Sequence, residues 1–297
     1  MEMEEMTQPC PQAVIHKGEP LSLYSGAPNG NPSPYPWDVP LFSRSIATKP
    51  ELRNHIDPHF AEFQLEYPDQ LRADEFLNEF NDFVRARQTG KGLELPQFIL
   101  MHLPNDHTSA KRPLKATPSA AIADNDLALG RIVDAVSHSP YWDDTAIFVL
   151  EDDAQDGYDH VDAHRSIAFV ISKYSPRQEN DKPFLDHTFY TTVNMVGTIE
   201  ALLGLPPMNN NDAHAAVMAP LFSGNGDQPP FTADSRNLQN GLIYQMNPPR
   251  GPDAKASAAM NFSHEDAADA EQLNAILWRD RMGNRPIPPQ QHRVFAH

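Results

Sequence analysis

Residues 145–171 read TAIFVLEDDAQDGYDHVDAHRSIAFVI, and this stretch decides the fold. Two apolar runs rich in β-branched and aromatic residues, 145–150 and 167–171, are each too short for a typical helix and read as strands. Between them lies a loop crowded with carboxylates and imidazoles. A strand running from the core straight into Glu151-Asp152-Asp153 delivers adjacent acids to one sheet edge. Like charges that close raise each other's pKa unless a cation, an arginine or solvent neutralises them. For His164 to share that edge, the loop from Asp152 to His164 has to stay on one side of the sheet, so 167–171 is predicted antiparallel to 145–150.

Upstream, Gln97–Leu103 (QFILMHL) is another short apolar run, bounded by Pro96 and Pro104, and predicts a buried strand that stops at Asn105-Asp106-His107. Thr117-Pro118 supplies an N-cap and a proline at the first helical position, and Ile122, Leu129, Ile132, Val133 and Val136 follow at helical spacing. Asp69–Arg87 carries Leu71, Phe76, Leu77, Phe80, Phe83 and Val84 three and four residues apart, an amphipathic helix. Downstream, Thr188 is the expected cap of a helix through Leu203 that ends at Gly204. Ser263 and Asp266 resemble a capping box for a last helix to about Met282. Strand, helix, strand in this order predicts an α/β fold, a mostly parallel sheet with helices on both faces and long proline-rich loops. The expected organisation is a proline-rich extended arm over 1–68, an α/β core over 69–225, and a loop with a C-terminal helix packed on the core over 226–297.

The chain of 297 residues is long enough to bury a sizeable core, and its formal charge of −17 repels phosphate backbones and anionic lipid. No nucleic acid and no membrane is therefore expected as a partner. Its 29 prolines against 14 glycines predict stiff connections. Cys10 is the single cysteine, which rules out an internal disulfide and a thiolate zinc site, so any metal takes oxygen and imidazole ligands. The opening MEMEEMTQPC has neither the basic nor the apolar region of a signal peptide. The expectation is a cytoplasmic chain as written, or an exported one if the natural start lies upstream.

No P-loop, dinucleotide fingerprint or nucleophile elbow is present. What remains is Asp106-His107, Glu151-Asp152-Asp153 and the loop through His160 to His164. In an open α/β sheet these would meet beyond the carboxyl ends of the strands. Mixed Asp and His ligation suits zinc, manganese or iron, and an all-oxygen subset suits calcium or magnesium. An EF-hand fails, since Ala154 and Ala163 stand where oxygen ligands are needed. A zincin fails because Val161 replaces the required Glu between His160 and His164.

LPNDHT, ATPSAAIADNDLALGRIVDAVSHSPYWDDTAIFVLEDDAQDGYDHVDAHRSIAFVIS and LDHTFYTTVNMVGTIEALLGLPPMN together resemble the carboxyl-terminal half of bacterial phosphoesterases of the phospholipase C and acid phosphatase type, within the alkaline phosphatase superfamily. The resemblance spans about residues 50 to 225 and continues weakly into LNAILWRDRMG. It implies an alkaline-phosphatase-like fold and metal-dependent hydrolysis of phosphate esters. It also implies a divalent metal on Asp152, Asp153 and His164, joined by Asp106, with His107 on the same ion or assisting phosphate and leaving group. His160 and His187 sit in the family's recurring Asp-His pairs. The family's acidic ligand and Thr or Ser nucleophile, which precede this region, have no counterpart in residues 1–96; Thr108 and Ser109 are merely close to His107. The expected partners are a phosphate ester and another polypeptide supplying the missing half. The alternative is a noncatalytic or split-enzyme half that binds a metal or a partner chain.

Overall fold

The computed structural model describes residues 3–6, 15–16, 19–20, 35–37, 39, 44–152, 165–178 and 182–287. Four short strands come first, β1 (Met3–Met6), β2 (Ile15–His16), β3 (Glu19–Pro20) and β4 (Arg44–Ala47), with β1 paired to β4 and β2 to β3. Helix α1 (Asp69–Thr89) and helix α2 (Pro118–Ser137) follow, then strands β5 (Ala146–Leu150) and β6 (Ala168–Ser172). Beyond them lie α3 (Thr192–Leu203), α4 (Asn210–Ala213), α5 (Arg236–Gln239), α6 (Ala254–Ala259) and α7 (Ala270–Met282).

The α1–α2 pair forms because both helices carry an apolar stripe, and alanines on α2 let the backbones approach. Ala73 and Phe80 of α1 close on Ala128, Ile132 and Val136 of α2, and Tyr141 and Trp142 seal the end. Thr117 caps α2 as expected, its hydroxyl accepting from the Ala120 N–H at 3.1 Å. Gly90, at φ 66°, ends α1 in the left-handed region where a side chain is costly.

β5 and β6 pair antiparallel, as the loop argument predicts, with Phe148 opposite Val170. The helices and strands fit an α/β mix, but no parallel ladder is present among the described residues, where every ladder is two-stranded and antiparallel. The element that fails to join is Gln97–Leu103, which enters no ladder. Its Met101 and Leu103 nevertheless pack on the same helical core as Ile147 of β5 and Ile171 of β6.

The stretch before α1, expected to be an arm without periodicity, contains a period of two. Ala61, Phe63, Leu65 and Tyr67 are all buried. Among the described residues no neighbouring strand satisfies this segment's carbonyls. The fully buried Arg72 does so instead, donating to the carbonyls of Ala61 at 2.7 Å and Gln64 at 3.2 Å, and to those of Glu62 and Tyr67. Phe63 and Leu65 pack against Phe262, Leu273 and Ile276, which seats α7 on the arm. Two helix starts shift from their expected places because an Asx turn takes the expected cap. The Thr188 N–H bonds Asp186, and α3 starts instead at the Thr191–Asn194 box. The Ser263 N–H bonds Asn261, and Asp269 caps α7 through the Gln272 N–H at 2.8 Å.

Candidate active site

Two chain segments deliver their carboxyl ends to one place. The 97–103 run leads through Pro104 into a single 3-10 turn, Asn105–His107, while β5 leads into Glu151 and Asp152. Glu151 lowers and Asp152 raises the pKa of the Asp106 carboxyl, so the carboxyl ends of the two segments lie near each other. Asp106, His107, Glu151 and Asp152 line one cavity of about 1760 Å³.

The turn is held from below by a buried polar network. The Asn105 N–H donates to Asp69 at 3.1 Å, and the Asn105 side-chain amide donates to Asp124 at 2.8 Å. Asn125 spans three acceptors: the Leu103 carbonyl at 2.7 Å, Asp69 at 3.1 Å and Asp106 at 3.2 Å. Asp69 also pairs with Arg72 at 2.9 Å. Burial raises the pKa of Asp69, against the pull of Arg72 and its hydrogen bonds. Asp124 is pushed up to about 7, first by burial and then by the charge of Asp69. Asp106 is raised by burial, with Asp152 adding to the rise and Glu151 opposing it. A cavity wall that gathers carboxylates and raises their pKa favours a cation.

His107 is half-buried, with Phe63 edge-on at 5.3 Å and Phe262 edge-on at 6.1 Å. Its Nδ1 lies 2.9 Å from the Thr108 carbonyl. A carbonyl accepts only, so Nδ1 carries the proton and Nε2 keeps its lone pair in the neutral ring. Thr108 sits at φ 61°, ψ 168°, a region otherwise reserved for glycine, and Ala110 at φ 51°. The buried Asn247 amide fastens the segment beyond, donating to the carbonyls of Ala110, Arg112 and Ala116 at 3.0–3.1 Å.

Of the residues expected from sequence, Asp106, His107 and Asp152 share the cavity, and Asp153, His160 and His164 lie outside the described residues. His187 is exposed on the loop before α3 and does not line the cavity. Thr108 and Ser109 are buried, and the Thr108 hydroxyl accepts the Ala110 N–H, which turns it away from a nucleophile's role. Among the described residues, the ligand atoms of Asp106, His107 and Asp152 do not converge within 4.8 Å, but those of Asp57, His59 and Glu75 do. That group escaped the sequence reading because Asp57 and His59 belong to the arm, while Glu75 reaches them from the buried face of α1. Its one legible signal is the Asp57-Pro58-His59 spacing, closed locally by the His59 N–H on Asp57 at 2.8 Å.

No helix among the described residues is long and apolar enough to cross a membrane. No family model matches the chain, and neither does any curated protein or solved structure.

Proposed function

We propose that this chain carries one side of a metal-dependent phosphate-ester hydrolase site, centred on Asp106, His107 and Asp152. The observation that supports the reading is the half-buried Asp106 on the same cavity wall as Glu151 and Asp152, with its pKa raised by burial. The donor chemistry fits a divalent cation of the zinc, manganese or calcium kind: carboxylate oxygens with one imidazole nitrogen, and no thiolate. Asp106 and Asp152 would hold it, joined by Asp153 and His164 as the family resemblance implies. Bound there, the ion supplies a Lewis acid for a phosphoryl oxygen.

The chain's own groups then have separate tasks. His107 keeps Nε2 basic by committing its Nδ1 proton to the Thr108 carbonyl, so it is suited to exchange a proton with the leaving group. Arg165 lines the same cavity and adds positive charge for a phosphate. Asn125 orients Asp106. The buried Thr108 and Ser109 hydroxyls offer no covalent route.

The test is elemental analysis of the purified chain beside Asp152→Ala and Asp106→Asn, with p-nitrophenyl phosphate turnover under added manganese, zinc or calcium. Stoichiometric metal and turnover, both lost in the two variants, support the reading. Metal retained by both variants, or none in the unmodified chain, overturns it.

A second reading, a split-enzyme or noncatalytic half that binds a partner chain, is favoured by β5, which pairs only with β6 among the described residues. The mostly parallel sheet belongs to this reading. Gln97–Leu103 and β5 pack on one helical layer, and strands between them would complete a sheet.

A further inference from the structure

The cavity above the acidic wall has the form of an interrupted sheet. Gln97–Leu103 bounds it on one side, outside any ladder and without a backbone-to-backbone hydrogen bond among the described residues. On the other side all of β5 lines it, whereas β6 contributes Phe169 and Ser172, so the edge of β5 that is unpaired among the described residues is the one that faces the space. The two runs lie on the same layer, since Met101, Leu103, Ile147 and Ile171 all pack on the α1–α2 core. They do not bond to each other. An unpaired edge in an apolar setting is costly to leave open and is a template for another strand.

The lining agrees. Leu100 is 71 % exposed, Phe169 51 % and Leu202 of α3 54 %, and all three face this cavity. Ile122 and Leu129 of α2 and Val196 and Ile199 of α3 line it as well, which brings apolar residues of two helices into the gap. Contiguous exposed apolar surface of this kind marks an interaction site. A five-residue strand, at about 3.3 Å per residue, about 4.8 Å strand spacing and about 10 Å layer depth, claims about 800 Å³. The space of about 1760 Å³ is large enough for two such strands. Its lining carries eight carboxylates, among them Asp106, Glu151, Asp152, Glu265 and Asp266, against two arginines, Arg87 and Arg165, and on a chain of charge −17 this selects an occupant with basic ends.

We infer that this cavity is an acceptor slot for two β-strands of a separate polypeptide, strands apolar on both faces and flanked by Lys or Arg, which complete the sheet between Gln97–Leu103 and β5. The inference deepens the split-half reading and does not depend on the hydrolase reading. A second copy of this chain is a poor occupant. Among the described residues its apolar unpaired runs are the walls of its own slot, and two chains of charge −17 repel.

The probe is a synthetic hairpin of two five-residue Val/Ile/Thr strands joined by Asn-Gly and flanked by lysine pairs. Controls carry a proline in each strand, or glutamate in place of every lysine. The readout is amide hydrogen exchange over residues 97–103 and 146–150 of the full chain, with the mass of the complex from light scattering. The expected result is a one-to-one complex in which those amides slow by about tenfold or more, with neither control binding. Leu100→Glu, at an exposed position, leaves the circular dichroism unchanged and abolishes the protection.

Amides already protected in the peptide-free monomer overturn the inference, because the chain then fills its own slot. A dimer that protects them overturns it in favour of a second copy. Binding of the lysine hairpin without protection, or binding of the proline control, overturns it as nonspecific charge attraction. Metal content, measured on the same samples, separates this outcome from the hydrolase reading.

Discussion

The Asp124 carboxylate of α2 accepts the backbone N–H of Asp69, the first residue of α1, at 2.6 Å, across 55 positions of sequence. It also accepts the Gln70 N–H at 3.3 Å. Pro68, at the N-cap of α1, offers no side-chain cap, so a residue of the neighbouring helix performs that task. One carboxylate thus caps α1 and holds Asn105 beneath the candidate site.

This arrangement makes stability depend on pH. The folded-state pKa of Asp124, about 7, lies above the unfolded value of about 3.9. The folded chain holds a proton that the unfolded chain releases, so stability falls as pH rises from about 4 to about 7. Burial raises Asp69 in the same direction. Thermal melts are expected to show a melting temperature higher at pH 5 than at pH 8 by a few °C. Asp124→Asn, which keeps an acceptor and cannot titrate, flattens that slope. An equally steep slope in the variant would assign the effect elsewhere.

Arg72 is expected to resist its conservative replacement. It donates to four arm carbonyls and to Asp69 with no exposed surface, and an ammonium lacks the planar fork that reaches them. Arg72→Lys should cost about 3–5 kcal/mol, because it leaves buried carbonyls and a carboxylate without donors. Urea denaturation of the two proteins measures this. A loss under 1 kcal/mol would show that the arm does not depend on the guanidinium.

At Thr108, strain and hydrogen bonding oppose each other. Its glycine-type backbone costs about 1–3 kcal/mol, while its hydroxyl satisfies the Ala110 N–H at 3.1 Å. Thr108→Gly relieves the first and forfeits the second, and the two nearly cancel. Thr108→Val keeps the strain and leaves a buried N–H unpaired, so it should be the worse by about 1–2 kcal/mol. Chemical denaturation of the pair decides the order, and a more stable Thr108→Val would contradict the strain argument.

Asn125→Ala removes the amide that orients Asp106 and leaves every carboxylate in place. Groups that orient ligands are worth about 10–100-fold in metal affinity. Titration with manganese or zinc should show a loss in that range, with the circular dichroism retained. Unchanged affinity would remove Asn125 from the site.

Much of the architecture is legible from residue order alone. The helical period of Phe76, Phe80, Phe83 and Val84, the Thr117-Pro118 start and the strand lengths of 145–150 and 167–171 are local signals, and α1, α2, β5 and β6 appear where they point. Asp106, His107 and Asp152 line one cavity, but their ligand atoms do not converge within 4.8 Å. Tertiary structure alone decided that Asp124 caps α1, that Arg72 stands in for a strand beside 61–67, that Gln97–Leu103 pairs with nothing described, and that Glu75 meets Asp57 and His59. The physical reason is the same in each case. Periodicity reports which face of a segment is apolar, whereas the partner that satisfies a buried backbone group or gathers a carboxylate is chosen by packing between segments far apart in the chain.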